Sequence, residues 1–316
     1  MVAAGADGAV VVRRDERGMA LVVVLGIVAL VAAWASRAAW DDMVALRRAE
    51  NGQEMMRARL ACLSALALAR RVLREDARHS SRDDAGEMWA KPMAALPVDE
   101  GVVSGRIEDA NRRVNLNDLV DDAGRVRPAV REALMRLFAR AGVDASLVDA
   151  LADWMDADAT PNGPGGAEDA AYFDRPWRVK NARLDDWSEL ALVRGFDGDV
   201  RRKLARVAGA WPPPAGALSK VNVNTASADV LRALFPAMSE ADVDELRQHR
   251  PYDNTTDLAS RPWAASGNIG WLGVSSRVFV AHAEARFGRA VAREDDLLLR
   301  GANGRLTLLA RLPARM

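Results

Sequence analysis

The strongest constraint on this chain is an unbroken apolar run, residues 19–34, entered abruptly through Arg17-Gly18 and followed by no charge before Arg37. As a helix, residues 19–36 rise about 27 Å, close to the roughly 30 Å hydrocarbon thickness of a bilayer. The run is long enough to span, with little to spare.

How the run begins separates three fates. A secretory signal places a small-x-small cleavage site beyond its apolar segment, and Ala33-Trp34-Ala35 offers one. An uncleaved anchor is the second fate. The third is set by the flank, which mixes Arg13, Arg14 and Arg17 with Asp15 and Glu16 and ends on a lone glycine before Met19-Ala20-Leu21-Val22. That arrangement resembles a prepilin leader, which a prepilin peptidase cuts after the glycine, here Gly18, on the cytoplasmic side. The apolar helix would then survive in the mature chain, beginning at Met19. Taken alone, the N-terminus leaves all three open.

Pilin-like proteins usually carry a glutamate five residues into the mature chain, where it neutralises the terminal amine of the subunit ahead of it in the fibre. Here that residue is Val23. An unpaired charge in apolar surroundings is costly, so a subunit with nothing ahead of it gains nothing from the acid. An ordinary anchor has no reason to hold one either.

Lysine and arginine number 44 against 44 for aspartate and glutamate, a balance that removal of residues 1–18 leaves intact. Nothing in the overall charge favours nucleic acid. Cys62 is the sole cysteine, so no intrachain disulfide can form; it lies in an apolar helical stretch and reads as a small buried hydrophobe.

No proline interrupts residues 19–76, and polar Arg37, Asp41, Arg47, Glu50 and Arg57 alternate with apolar Met43, Leu46, Leu60, Leu63, Leu66 and Leu73. One long helix is expected, apolar at first, with residues 37–78 an amphipathic continuation that packs on a folded domain. Its apolar spacing is too irregular for a sustained coiled coil. Residues 79–97 read as a loop. From Gly101 the pattern shifts to period two, and it does so again over residues 278–287, Ala290–Arg300 and 305–312, with Ala302-Asn303-Gly304 as a turn. Everything between reads as helices. The fold class is therefore α+β: a long N-terminal helix on a small antiparallel sheet, with first strands in 98–118, C-terminal strands in 275–316, and a helical insertion, 119–274, between them. Trp211-Pro212-Pro213-Pro214 is a stiff connector dividing the insertion into 119–210 and 219–274. Arg113-Val114-Asn115-Leu116-Asn117 and Lys220-Val221-Asn222-Val223-Asn224 open the two halves alike, a weak internal repeat.

Two stretches carry chemistry. The first runs Trp154-Met155-Asp156-Ala157-Asp158, through Pro161 and Gly165-Gly166-Ala167-Glu168-Asp169, to Tyr172 and Asp174. Asp156, Asp158, Glu168, Asp169 and Asp174 gather hard oxygen donors on a loop poor in apolar side chains, which Ca2+ can order; helix caps with a solvated acidic loop are the plainer alternative. Asp158-x-Thr160-x-Asn162-Gly163 resembles part of an EF-hand loop, from which Pro161, Pro164 and the aspartate at the final position depart. Asp153 and Asp156 together read as structural. The second stretch, Val221-Asn222-Val223-Asn224-Thr225-Ala226-Ser227 with Leu231, Leu234 and Arg250-Pro251-Tyr252, resembles a helix-hairpin-helix module. Its turn, Phe235-Pro236-Ala237-Met238-Ser239, lacks the glycines that let backbone approach phosphate, and Glu240, Asp242, Asp244 and Glu245 would repel it. The histidines, His79, His249 and His282, are scattered, and no nucleophile or phosphate-binding motif is present, so no enzyme is expected.

Together, Gly18-Met19, Val23, the Trp154–Asp174 stretch, Lys180-Asn181, Leu184-Asp185-Asp186-Trp187-Ser188-Glu189-Leu190, Val193-Arg194-Gly195 and Asn224-Thr225-Ala226 resemble the type II secretion minor pseudopilin K family across most of the chain. The resemblance implies a leader, residues 1–18, removed by prepilin peptidase. It also implies N-methylation of Met19, a single inner-membrane span at 19–36, a periplasmic head, and a structural Ca2+ on the acidic loop. It implies a tip complex with minor pseudopilins I and J that nucleates and caps the pseudopilus, whose other pseudopilins lie below, for export of folded proteins across the outer membrane. A membrane-tethered helix-hairpin-helix protein that binds DNA is the alternative reading.

Overall fold

In the computed structural model α1 is one unbroken helix, Asp15–His79, as the proline-free run requires. The structure describes residues 15–312, with the backbone alone for 15–17; residues 1–14 of the expected leader and 313–316 of the expected last strand lie outside the described residues. The chain divides into two units, one ending at Arg57 and one beginning at Ala58. In the first, α1 carries the stretch long and apolar enough to cross a membrane, and Met19, Leu25 and Trp34 are exposed.

In the second unit, the remainder of α1 buries Ala58, Cys62, Leu66 and Leu73. Leu60 and Leu63, expected on the inner face, point outward instead. The buried stripe, Ala58, Cys62, Leu66 and Leu73, keeps helical spacing, and Leu60 and Leu63 fall outside it. It faces a five-stranded antiparallel sheet ordered β1-β2-β7-β8-β9, made of β1 (Met93–Val98), β2 (Gly101–Asp109), β7 (Val278–Phe287), β8 (Ala290–Arg300) and β9 (Leu306–Leu312). Ala281, Ala283 and Ala285 on β7 are buried, and Cys62 Sγ lies 3.7 Å from the Ala283 carbonyl and 3.5 Å from that of Ala292. Small residues let the helix approach the sheet closely. Burial pushes the Cys62 thiol up to about 11, so it is inert packing.

β2 and β7 pair along their whole length, from Gly101↔Phe287 to Asp109↔Phe279, although the residues between them form the insertion. The chain thus leaves one strand and returns to its neighbour. Two boundaries differ from the sequence expectation. The sheet starts at Met93, inside the expected loop, because Pro97 sits on an edge strand where its missing N–H costs no ladder bond. It also stops at Asp109: Val114-Asn115, β3, pairs with Ala208-Gly209, β4, instead of joining the sheet.

Within the insertion, α2 (Pro128–Arg140) begins on proline at its first turn and buries Val130, Leu134, Leu137 and Phe138, while α3 (Leu147–Met155) buries Val148, Leu151 and Trp154. Trp187–Ala191 is a 3-10 segment and not an α-helix, and α4 spans Gly198–Leu204. The second half holds β5 (Val221–Asn222), α5 (Ala228–Leu234), α6 (Glu240–Gln248), α7 (Thr256–Ala259) and β6 (Leu272–Gly273), with β5 parallel to β6. One apolar core, from Val114 to Leu272, joins both halves.

Candidate functional site

The acidic loop leaves the C-terminal end of α3 and folds back along it. Asp153, fully buried, organises the return: its Oδ1 accepts from Asn162 N and Nδ2, both at 2.7 Å, and its Oδ2 accepts from Ala167 N. Asn162 also donates through Nδ2 to Asp156 Oδ2 at 2.5 Å. Asp149, one turn earlier, is paired with Arg131 and accepts from Gly165 N at 3.3 Å. Gly165 passes so close to α3 that a Cβ there would stand 2.1 Å from the Ser146 carbonyl oxygen. The loop is therefore held by carboxylates on one face of α3, spaced i, i+4.

This scaffold gathers three of the five expected donors. Asp156, Asp158 and Glu168 each offer an oxygen within 4.8 Å of the others. Two oxygens in the group, Asp156 Oδ1 and Glu168 Oε1, are buried with no hydrogen-bond partner. Burial, aided by the neighbouring carboxylates Asp158 and Asp153, pushes Asp156 up to about 6; burial with Asp153, Asp156, Asp158 and Asp169 pushes Glu168 up to about 7. Orphaned oxygens that repel one another are what a hard cation would relieve. The other two donors point elsewhere. Asp169 accepts from Val179 N at 3.1 Å and lies 3.9 Å from Arg178, while exposed Asp174 lies 3.6 Å from Arg175. Sequence reasoning did not single out Asn162 as the bridge between Asp153 and Asp156; the i, i+3 spacing of those aspartates was the available signal.

Around the loop, the other quoted motif residues interlock. Trp154 Nε1 donates to Glu189 Oε1 at 2.8 Å, and Lys180 Nζ to Glu189 Oε2 at 2.8 Å. Tyr172, its ring 5.7 Å from Trp154, accepts from Arg194 N at 2.9 Å.

A family model described as type II secretion system protein K matches residues 112–213, and a second of the same description matches 221–275. A type II secretion system protein K of Pseudomonas aeruginosa is 34% identical over 95% of this chain and 93% of that protein. This chain belongs to the type II secretion system protein K family. The protein K of Aeromonas hydrophila is 30% identical over 95% of this chain and 97% of its own length. Among solved structures, the GspK-GspI-GspJ complex from the type 2 secretion system of enterotoxigenic Escherichia coli contains a chain that superposes with a TM-score of 0.73 at 24% identity. The match covers 85% of this chain and all of that one, a likeness of fold. The two protein K family matches stop and resume on either side of the segment that follows Trp211-Pro212-Pro213.

The hairpin between α5 and α6 is filled by its own residues. Phe235 and Met238 fill the core, and Ser239 and Asp242 form a reciprocal capping box that takes up each other's amides at the start of α6. Glu240, exposed beside them, pairs with Arg232 at 3.3 Å. The DNA-binding alternative therefore gains nothing from the geometry. The histidines sit on separate elements: His79 and His249 each bond the carbonyl four residues back, and His282 lies on β7 between Asp295 and Glu108.

Proposed function

We propose that this component of the type II secretion system is its minor pseudopilin K, standing at the tip of the pseudopilus, where it nucleates and caps assembly with minor pseudopilins I and J. The observation that carries this reading is Val23: the helix is uncharged from Gly18 to Ser36, so it offers no carboxylate to a subunit above. The likeness of fold to a chain of the GspK-GspI-GspJ complex supports the choice of partners. The helical insertion supports the terminal position, because a head enlarged by α2–α7 would be hard to stack repeatedly in a fibre. Residues 1–18 are removed by prepilin peptidase, Met19 is N-methylated, and its amine is paired by a glutamate of the next subunit down. The apolar part of α1 then anchors the chain in the inner membrane, with the head in the periplasm.

Within the head, Asp156, Asp158 and Glu168 hold a structural Ca2+, which neutralises their mutual repulsion and fixes the loop on α3; Asp169 and Asp174 brace the flanks. No catalytic role is proposed.

The test uses the full-length chain, produced with and without prepilin peptidase and purified in detergent with the I and J subunits. Intact mass should show a methylated chain starting at Met19, and the three subunits should co-elute. A mature chain starting at Ser36, or one that ignores I and J, would overturn the reading.

A further inference from the structure

At the C-terminal end of α1, far in sequence from the α3 loop, a second set of carboxylates converges. Asp76, on the last turns of the helix, and Asp83 and Glu87, on the segment before β1, each place an oxygen within 4.8 Å of the others. Asp83 is completely buried. Its Oδ2 accepts from Ser276 N at 2.6 Å and from Arg300 Nη2, while its Oδ1 has no hydrogen-bond partner. Asp76 Oδ2 accepts from Arg300 Nη1 at 3.1 Å, and Glu87 Oε2 accepts from Asp84 N at 3.1 Å and Trp89 Nε1 at 2.7 Å. Each residue thus spends one oxygen on holding the fold.

The charges do not balance. Three carboxylates face one guanidinium, leaving a formal deficit of two positive charges around a buried orphan oxygen. Arg300 is itself fixed, stacked 4.7 Å over Phe279 and donating to the Ser276 carbonyl at 2.7 Å, so it cannot turn to serve Asp83 Oδ1. A group that completes this cluster must be small, divalent and fond of oxygen. Ca2+ accepts irregular sets of carboxylate oxygens, which suits groups already fixed by their own contacts to the fold, whereas Mg2+ demands near-octahedral regularity and gives up its waters reluctantly.

We infer that Asp76, Asp83 and Glu87 form a structural site for a hard divalent cation, best suited to Ca2+, that pins the end of α1 to the segment leading into β1 and, through Arg300, to β8. This site is separate from the α3 loop and does not rest on the reading of that loop. A shared proton is the competing explanation, since burial pushes Asp83 up to about 7.

The full-length chain is dialysed in detergent against buffered Ca2+ and the bound ion counted. With the α3 loop disabled by D158N and E168Q, the folded protein should retain one Ca2+ per chain, and adding E87Q or D76N should remove it. Tb3+ bound in the same background should luminesce on tryptophan excitation, and W89F should weaken that signal. Should the double variant not fold, E87Q in the otherwise unaltered chain, which keeps an amide oxygen for the Asp84 and Trp89 N–H groups, should lower the bound count by one. A folded double variant that binds no divalent cation overturns the site, as does a count unmoved by both E87Q and D76N, or by E87Q alone in the unaltered chain.

Discussion

Asn117 and Asn224 close the same hydrogen-bonded ring in the two halves of the insertion. Asn117 donates through Nδ2 to the Leu184 carbonyl at 2.9 Å and accepts from Leu184 N at 2.8 Å; Asn224 donates to the Tyr252 carbonyl at 3.0 Å and accepts from Tyr252 N at 2.7 Å. Two residues earlier, Asn115 and Asn222 each accept from the backbone N–H two positions on and lie in a two-residue parallel pairing. The halves are built on one plan, in which a Val-Asn-x-Asn segment ties a helical pair to a distant return strand.

Asn117→Ala and Asn224→Ala should both destabilise the chain, because each strands a backbone N–H and C=O at about 1–3 kcal/mol per buried group. Asn117→Ala should cost more, since Leu184 is buried and Tyr252 only half-buried. Urea unfolding followed by tryptophan fluorescence measures it. An unchanged midpoint for Asn117→Ala would mean the ring adds nothing to stability.

That plan was only half legible beforehand. The Val-Asn-x-Asn spelling was visible twice, but its partners, Ala208-Gly209 and Leu272-Gly273, carry no strand signal of their own and are fixed by tertiary contact. The alternation of Phe279, Ala281, Ala283, Ala285 and Phe287 needed no such help, and neither did α1, where nothing breaks the helix. β1 was hidden by Pro92 and Pro97, which read as loop. At the acidic loop, sequence counted carboxylates but not their directions. Asp169 is drawn off by Val179 N–H and Arg178, partners that only the folded chain brings to it.

Ca2+ should raise the melting temperature of the full-length chain, and chelator should lower it. A ligand at a hundred times its dissociation constant adds about 2.7 kcal/mol to the folded state. Gly165→Ala should abolish much of that gain by pushing the loop off the Ser146 carbonyl, an overpacking strain of about 1–3 kcal/mol. Calorimetry with and without Ca2+ checks both, and a Gly165→Ala chain with the full Ca2+ increment would refute the placement.

His282 gives the sheet a pH dependence of definite sign. Burial works against its charge, but Asp295, 2.8 Å from Nδ1, and Glu108, 3.6 Å from Nε2, outweigh that and the repulsion of Arg106, so its pKa is raised from 6.5. Glu108 is held down to about 2: burial opposes this, but the nearby His282 imidazole and the charges of Arg113 and Arg112 prevail. A raised histidine stabilises fully below its unfolded value and loses that contribution as pH climbs through the folded one. His282→Gln should therefore cost more stability at about pH 5.5 than at about pH 8.5. Urea midpoints of parent and variant at the two pH values decide it, and a cost that grows with pH would contradict the assignment.

Val23→Glu tests the tip position directly. A carboxylate in this apolar helix, with no amine ahead of it, is an uncompensated charge, costing up to about 2.5–3.5 kcal/mol at the centre of a span and less toward its end. At the tip the substitution can only be neutral or harmful, so secretion through the pseudopilus should stay level or fall. In the body of the fibre the same glutamate would find the amine of the subunit above and be stabilised. Recovering more Val23→Glu than parent chain from sheared pseudopili, with I and J present in both, would place the protein inside the fibre and not at its end.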